Sequence, residues 1–310
     1  MIPSNKKIER MIQVARLYYE EDMTQHLIAQ KLGISRPLVS QLLTEAKSCG
    51  IVCIHINEIE NQEALLRHQL MERYNLPAAV VIADGGSPAE TDRSLAGTAY
   101  QICFHPDYAG KNIGIGCGSI LGTMADLAET MPARPRNEGH IFPLIGGILT
   151  SNRGSHPNEL IRVFSDKAGY QGDYLYSPAL FSSQEELDLV RSTKSVQDTT
   201  RLWDNIDLAI MNPTDLADSG YADLAFQDLP EHERPIGLII GHTYSAQGQL
   251  QVPNDAFVFS ASMDQLRKAG KVVAVCSSTT SPACAEGLLG LDLVHTLILP
   301  VSLAQQLVNR

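Results

Sequence analysis

Along residues 6–21 the apolar side chains Ile8, Met11, Ile12, Ala15, Leu17 and Tyr18 fall on one stripe at helical spacing, which predicts an amphipathic helix. The pattern resumes over 24–32 and again over 35–48. In the second of these, Leu38, Val39, Leu42, Leu43 and Ala46 share one face, and Arg36, Ser40, Gln41, Thr44 and Lys47 share the other. Thr24 and Ser35 stand where N-caps are needed, Pro37 lies in a first turn where its missing N–H costs little, and Gly50 is placed as a stop. Residues 51–56, Ile-Val-Cys-Ile-His-Ile, are rich in β-branched side chains and predict a strand, a short wing behind the last helix. Helical spacing returns over 58–74 around Leu65, Leu66, Leu70 and Met71, and ends at Asn75-Leu76-Pro77.

Beyond Pro77 the period alternates. Short apolar runs at 78–83, 112–116, 140–145, 173–176, 208–211, 256–260, 271–276 and 296–299 predict strands. Helical patterns fill the gaps at 88–104, 119–131, 158–168, 183–192, 281–289 and 302–308. Strands alternating with helices predict an α/β domain with a mainly parallel, doubly wound sheet covered on both faces. Ligands of such sheets bind outside the carboxyl ends of the strands. The expected organisation is a small N-terminal winged helix-turn-helix domain at 1–57, mostly α, a linker helix at 58–76, and an effector-binding and oligomerisation domain at 77–310. The linker helix either pairs with a symmetry mate or packs on its own domain.

The helix-turn-helix assignment rests on four residues in register. In a twenty-residue window starting at Gln25, Ala29 is at position 5, Gly33 at 9, Val39 at 15 and Leu42 at 18. A small residue at the first lets two helices approach, and Gly at the second takes the left-handed turn. The two apolar residues face the first helix. Such a unit lays its second helix in a DNA major groove. The expected DNA-binding residues are Thr24, Gln25, Ser35, Arg36, Pro37, Ser40, Gln41, Thr44 and Lys47. Arg36, Ser40 and Gln41 are expected near base edges, Thr44 and Lys47 near phosphates.

Net charge is −11, which at first argues against DNA. Residues 1–57 carry seven Lys/Arg against five Asp/Glu, whereas residues 58–310 carry 17 against 30. The acidic bulk belongs to the second part. Weak basicity in the first predicts weak binding by one copy, offset in a dimer or tetramer by effective concentration. The six cysteines, Cys49, Cys53, Cys103, Cys117, Cys276 and Cys284, show neither paired CxxC motifs nor zinc spacing, so no metal and no cofactor is expected. No signal peptide and no membrane-length apolar run is read, so a cytoplasmic protein with reduced thiols and no membrane partner is expected.

The best ligand loop, Gly114-Ile115-Gly116-Cys117-Gly118-Ser119-Ile120, follows a strand and opens a helix. Backbone N–H groups at Gly116 and Gly118 could approach an anion or a sugar hydroxyl. Its glycine spacing is not that of a dinucleotide fingerprint. Gly146-Gly147 forms a second turn after a strand, and Ser277–Ser281 is a hydroxyl-rich third. The expected effector-binding residues are Gly116, Cys117, Gly118, Ser119, Ile120, Gly146, Gly147 and Ser281.

With these pieces assembled, the chain resembles the SorC/DeoR-type sugar-responsive bacterial transcription regulators over nearly its whole length. The DNA-binding stretch Leu17–Leu43 followed by Gly50-Ile51-Val52 carries the most specific likeness. The loop at 114–120, Gly146-Gly147 and Asn158-Glu159-Leu160 follow in the family's order. The resemblance implies a sugar-isomerase-like effector domain, a small sugar, polyol or sugar-phosphate effector, operator DNA as partner, and a dimer or tetramer. It also marks departures. The family often has Asp where Leu238 stands, Lys where Ser281 stands, Asp-Glu where Pro300-Val301 stands, and Gly-Ile-Gly where this chain has Asn212-Pro213-Thr214. Two alternatives to an effector-modulated regulator stay open. One is a sugar isomerase-like enzyme with an accessory DNA-binding module, for which Asp84 and Glu159 are the acid/base candidates. The other is a DNA-bridging oligomer indifferent to effectors.

Overall fold

The computed structural model describes residues 5–49, 51–52, 62–148, 154, 156–218, 230, 234–251 and 257–310. Its internal contacts divide the chain into two units, Met1–Ile59 and Glu60–Arg310.

The first unit contains α1 (Asn5–Tyr19), α2 (Gln25–Leu32) and α3 (Arg36–Ser48). Met11, Val14, Leu17, Ile28, Ala29, Val39, Leu42, Leu43 and Ala46 form its buried core. Val14 belongs to that core, whereas Ile12, placed on the stripe from spacing, is 38% exposed. Thr24 Oγ1 accepts the Leu27 N–H and Ser35 Oγ the Leu38 N–H, each at 3.4 Å, so both helices start where the caps require. Gly33 ends α2 at φ +62°, ψ +37°, and its N–H returns to the Ala29 and Gln30 carbonyls. Ile51 and Val52 are not in a strand, Val52 N–H donating to Ala46 O at 3.1 Å. The rest of the expected wing, with Gly50, lies outside the described residues.

The second unit opens with α4 (Gln62–Arg73), and its core strands are β1 (Ala78–Ile82), β2 (Asn112–Ile115), β3 (His140–Pro143) and β4 (Gln171–Gly172). A two-residue β5 (Leu180–Phe181) follows. Then come β6 (Leu208–Met211), β7 (Thr214–Asp215), β8 (Gly237–Ile239), β9 (His242–Tyr244), β10 (Leu250–Gln251), β11 (Phe257–Val258), β12 (Lys271–Val275) and β13 (Thr296–Pro300). Seven of these form one sheet in the order β1-β13-β12-β6-β2-β3-β4, every pair parallel. Successive residues feed opposite faces: Val272 and Ala274 join one hydrophobic cluster, Val273 and Val275 the other. Ala209 and Met211 divide from Leu208 and Ile210 in the same way. Both faces are therefore apolar, as a doubly covered parallel sheet requires.

One face carries α5 (Pro88–Cys103), α6 (Ser119–Thr130) and α7 (Pro157–Ala168); the other carries α4, α11 (Pro282–Leu289) and α12 (Val301–Asn309). The linker helix α4 packs on its own unit through Leu66 and Leu70, and the adjoining Tyr74 hydroxyl donates to Leu307 O at 3.1 Å. The segments α8 (Gln184–Arg191), α9 (Lys194–Thr200) and α10 (Met263–Lys268) complete the described helices.

Two expected strands are corrected. The run at 173–176 is not a strand: Asp173 N–H still reaches Ile141 O at 2.9 Å, but Asn158 then clamps Leu175 by its N–H and C=O, both at 3.1 Å. The run at 256–260 does not join the main sheet. Of its described residues 257–260, Phe257 and Val258 form β11, which pairs antiparallel with β5, and Ser260 makes an isolated antiparallel bridge to Ile145. A four-stranded antiparallel sheet, β10-β9-β8-β7, was not anticipated; it begins directly after β6, at the carboxyl ends of the main strands.

Candidate nucleic-acid interface and effector site

The α3 face carrying Arg36, Pro37, Ser40, Gln41, Thr44 and Lys47 is exposed throughout, because its apolar stripe is spent on α1 and α2. Ser35 and Thr24 are exposed caps, and Gln25 is half-buried. Thr24, Gln25 and Arg36 share the wall of one cleft of about 580 Å³, together with Tyr19 and His26. The other expected residues run in a line along α3. Gln41 Nε2 donates to Glu45 Oε1 at 3.0 Å, and Thr44 Oγ1 to Ser40 O at 3.0 Å. Lys7 Nζ is 2.7 Å from Glu45 Oε2, and these hydrogen bonds from Lys7 and Gln41 hold the Glu45 carboxyl below its usual range. Lys47 Nζ stands 5.9 Å from the Tyr19 ring centroid. Sequence reasoning missed Tyr19 and Glu45; the i,i+4 spacing of Gln41 and Glu45 was the available signal.

Among the described residues of the second unit, the parallel strands release loop segments on one side at 83–87, 116–118, 144–148, 212–213 and 276–281. The first expected loop is tightly built. Gly116 is buried, and its N–H extends the sheet by donating to Ile210 O at 2.8 Å. A Cβ on Gly116 would lie 3.1 Å from Ile240 Cγ2, so the β8–β9 hairpin tip closes directly over this glycine. Gly118 takes φ +138°, and a Cβ there would meet Asn212 Oδ1 at 2.1 Å. Only glycine fits that position. Cys117 is half-buried, and burial of its thiol pushes its pKa up to about 12. Ser119 is exposed as the first residue of α6, and Ile120 is buried.

Asn212, 3% exposed, bridges this loop to the sheet. Its Oδ1 accepts the Ile120 N–H at 3.3 Å, while Nδ2 donates to Pro213 O and Val275 O at 3.0 Å each.

Gly146 and Gly147 lie on the neighbouring loop with their N–H groups already engaged, by Phe259 O at 3.0 Å and Ser177 O at 2.7 Å. A Cβ on Gly146 would sit 2.3 Å from Pro178 O. Close backbone approach therefore accounts for this glycine. Ser281 caps α11: its Oγ accepts the Cys284 N–H at 3.1 Å, its N–H donates to Asp215 Oδ2 at 2.9 Å, and its hydroxyl donates to Asp215 Oδ1. Asp215 was not singled out from sequence, since nothing local marks a residue whose partner is 66 positions away. It lies on β7 opposite Gly237, next to the Leu238–Thr214 pair.

The acid/base candidates have partners. Asp84 accepts the Ser302 N–H at 2.8 Å and the Ser302 hydroxyl at 2.7 Å, capping α12 just after Pro300-Val301. Glu159 binds Arg162 across one helical turn, at 2.7 and 3.0 Å. Two histidines of this unit also have partners: His140 Nδ1 is 2.7 Å from Asp173, and His242 Nε2 lies 3.0 Å from Ala261 O and 3.1 Å from Ser260 Oγ. Among the described residues no cluster of His, Cys, Asp or Glu could hold a metal ion, and no helix is long and apolar enough to cross a membrane.

Residues 58–309 match the family model described as "Putative sugar-binding domain", and residues 9–48 match that of Sigma-70, region 4. The chain is 29% identical over 210 residues to the sorbitol operon regulator of Klebsiella pneumoniae, covering 66% of this chain and 65% of the relative, just under two thirds of its length. It is 25% identical over 313 residues to the deoxyribonucleoside regulator of Bacillus subtilis, covering 98% of each chain. The crystal structure of the full-length sorbitol operon regulator SorC from Klebsiella pneumoniae superposes with a TM-score of 0.79 at 25% identity, covering 99% of this chain and all of that one.

Proposed function

Because the chain belongs to this sugar-binding-domain family over residues 58–309, we propose that it is a bacterial transcription regulator whose operator binding is modulated by a small sugar, polyol or sugar-phosphate effector. The observation that carries the reading is one chain holding both parts: a capped helix-turn-helix with its polar α3 face open, and a family-matched sugar-binding unit. Relatives named sorbitol operon regulator and deoxyribonucleoside regulator support it.

In this reading Arg36, Ser40 and Gln41 contact base edges. Gln41 exchanges its Glu45 partner for adenine, since its side-chain amide offers the donor and acceptor that adenine's N6 and N7 require. Thr24, Gln25, Ser35, Pro37, Thr44 and Lys47 meet the backbone and fix register. The effector binds at the carboxyl ends of β2, β3, β6 and β12, against Gly116–Ile120, Gly146-Gly147 and Ser281. It favours one of two arrangements of the protein and so alters operator affinity, which requires unequal affinity for the two. The protein acts in the cytoplasm as a dimer or tetramer, without a cofactor and without turning its effector over. The internally satisfied Asp84 and Glu159 support the last point.

The test is selection of duplex sites from a random library by the full-length protein, followed by operator titration with and without polyols, sugars and their phosphates. A selected site whose affinity shifts tenfold or more with one compound is expected. Turnover of a compound would move the assignment to the enzyme. Operator binding that no compound alters would move it to the bridging oligomer.

A further inference from the structure

Backbone N–H groups at helix N-termini beside the strand ends are where a phosphate would be held. Among the described residues, three such starts already have an acceptor reaching them from a distant part of the chain. At α6 the Ile120 N–H is taken by Asn212. At α11 the Ser281 N–H and hydroxyl are both taken by Asp215. At α12 the Ser302 N–H and hydroxyl are both taken by Asp84.

The Asn212 amide is locked in that orientation. Both of its donor hydrogens are committed to carbonyls, Pro213 O and Val275 O, so a flip would set Nδ2 against the Ile120 N–H and lose three bonds. It also fills the space beside Gly118, so the loop has no open cradle on that side. The half-buried Asp215 carboxylate adds negative charge beside this loop, where a like charge is repelled more strongly than in bulk water, and the exposed Asp84 adds a solvent-screened share at the same edge of the sheet. Carboxylate and amide oxygens each keep a second lone pair, which suits them to accept from hydroxyl groups.

We propose that the effector is an uncharged polyhydroxy compound, a free polyol or sugar, and that Asn212 and Asp215 set its preference over the phosphorylated form. The proposal rests on the effector-binding reading above and names the chemical class for it.

The experiment is titration calorimetry on the full-length protein. The probes are erythritol, ribitol and sorbitol, the monophosphate of each, and inorganic phosphate. The wild type is expected to bind at least one polyol with a tenfold or greater preference over its monophosphate, and inorganic phosphate is expected to give no heat. Asn212→Gly frees the Ile120 N–H, and Asp215→Asn keeps a Ser281 partner while removing a charge. Each is expected to cut the preference at least tenfold. Monophosphates that bind the wild type as tightly as their parent polyols would overturn the proposal and leave the effector-binding reading standing. Silence of every probe on the wild type and both variants would overturn that reading, and this proposal with it. The wild-type ratio decides the matter even if a variant fails to fold.

Discussion

Replacing Gly33 by Ala isolates the energetic cost of the turn between α2 and α3. The residue sits at φ +62°, ψ +37°, and a Cβ built on it meets no atom within 4 Å. Alanine therefore introduces no clash, and the whole effect is conformational. Left-handed backbone costs an L-residue about 1–2 kcal/mol, and the reduced freedom of the unfolded chain returns about 0.4–1 kcal/mol, so a net loss of about 1 kcal/mol is expected. For a unit of this size that lowers the melting temperature by about 4–8 °C. Scanning calorimetry of the full chain should show the loss in the transition of the first unit. The single tryptophan, Trp203, lies in the second unit, so its fluorescence should report an unchanged second transition. Gly33→Asn should recover about half of the loss, since Asn tolerates this conformation. A shift below about 1 °C for Ala, or Asn no better than Ala, would refute the conformational argument.

Three further outcomes are expected. Gln41→Ala should cost about 1–3 kcal/mol at one base position of the selected site, read by anisotropy on single-base variants, whereas Lys47→Ala should weaken all sequences alike and reduce the salt slope by about 1. Peptide-resolved alkylation at pH 8 should modify the exposed Cys49 quickly. Cys103, Cys117 and Cys284, whose thiols burial pushes up to about 12, and buried Cys276, whose pKa burial also raises, should react only on unfolding. Burial lowers the pKa of His242, so as pH falls the unfolded chain takes up that proton before the folded one. Its contribution is complete above the unfolded value of about 6.5 and is lost as pH drops toward the folded value, so His242→Gln should flatten urea midpoints measured from pH 8 to 5.

The first unit was legible because its determinants are local. Thr24, Ala29, Gly33 and Ser35 each act within a turn of their own position, and all four hold in the structure. Six strands of the seven-stranded sheet were legible because strands buried on both faces read as plain apolar runs; the edge strand β4, Gln171–Gly172, was not, since neither residue has an apolar side chain. The β7–β10 sheet was not, since its central hairpin turns at Ile240-Gly241 with Ile240 at φ +41°. A β-branched residue is the least expected one there. Its side chain, 3% exposed against Gly116, offsets the strain through a tertiary contact that no local window contains. The candidate effector site divides in the same way. Its glycines could be read from the chain, while Asn212, Asp215 and Asp84 act on partners 92, 66 and 218 residues away.

The pairing of β1 with β13 has a bearing on how the protein is made. Ala78 aligns with Thr296, so the first strand of the second unit waits for the last described one before it gains its one neighbour in the sheet. At about 5–20 residues per second, ribosomal synthesis leaves β1 without its neighbour for roughly 10–40 s. The helical first unit, whose core residues all lie between Met11 and Ala46, can be complete well before then. During that interval a nascent chain presents a finished DNA-reading head on an unfinished sensor, with an unpaired apolar strand that chaperones would be expected to shield.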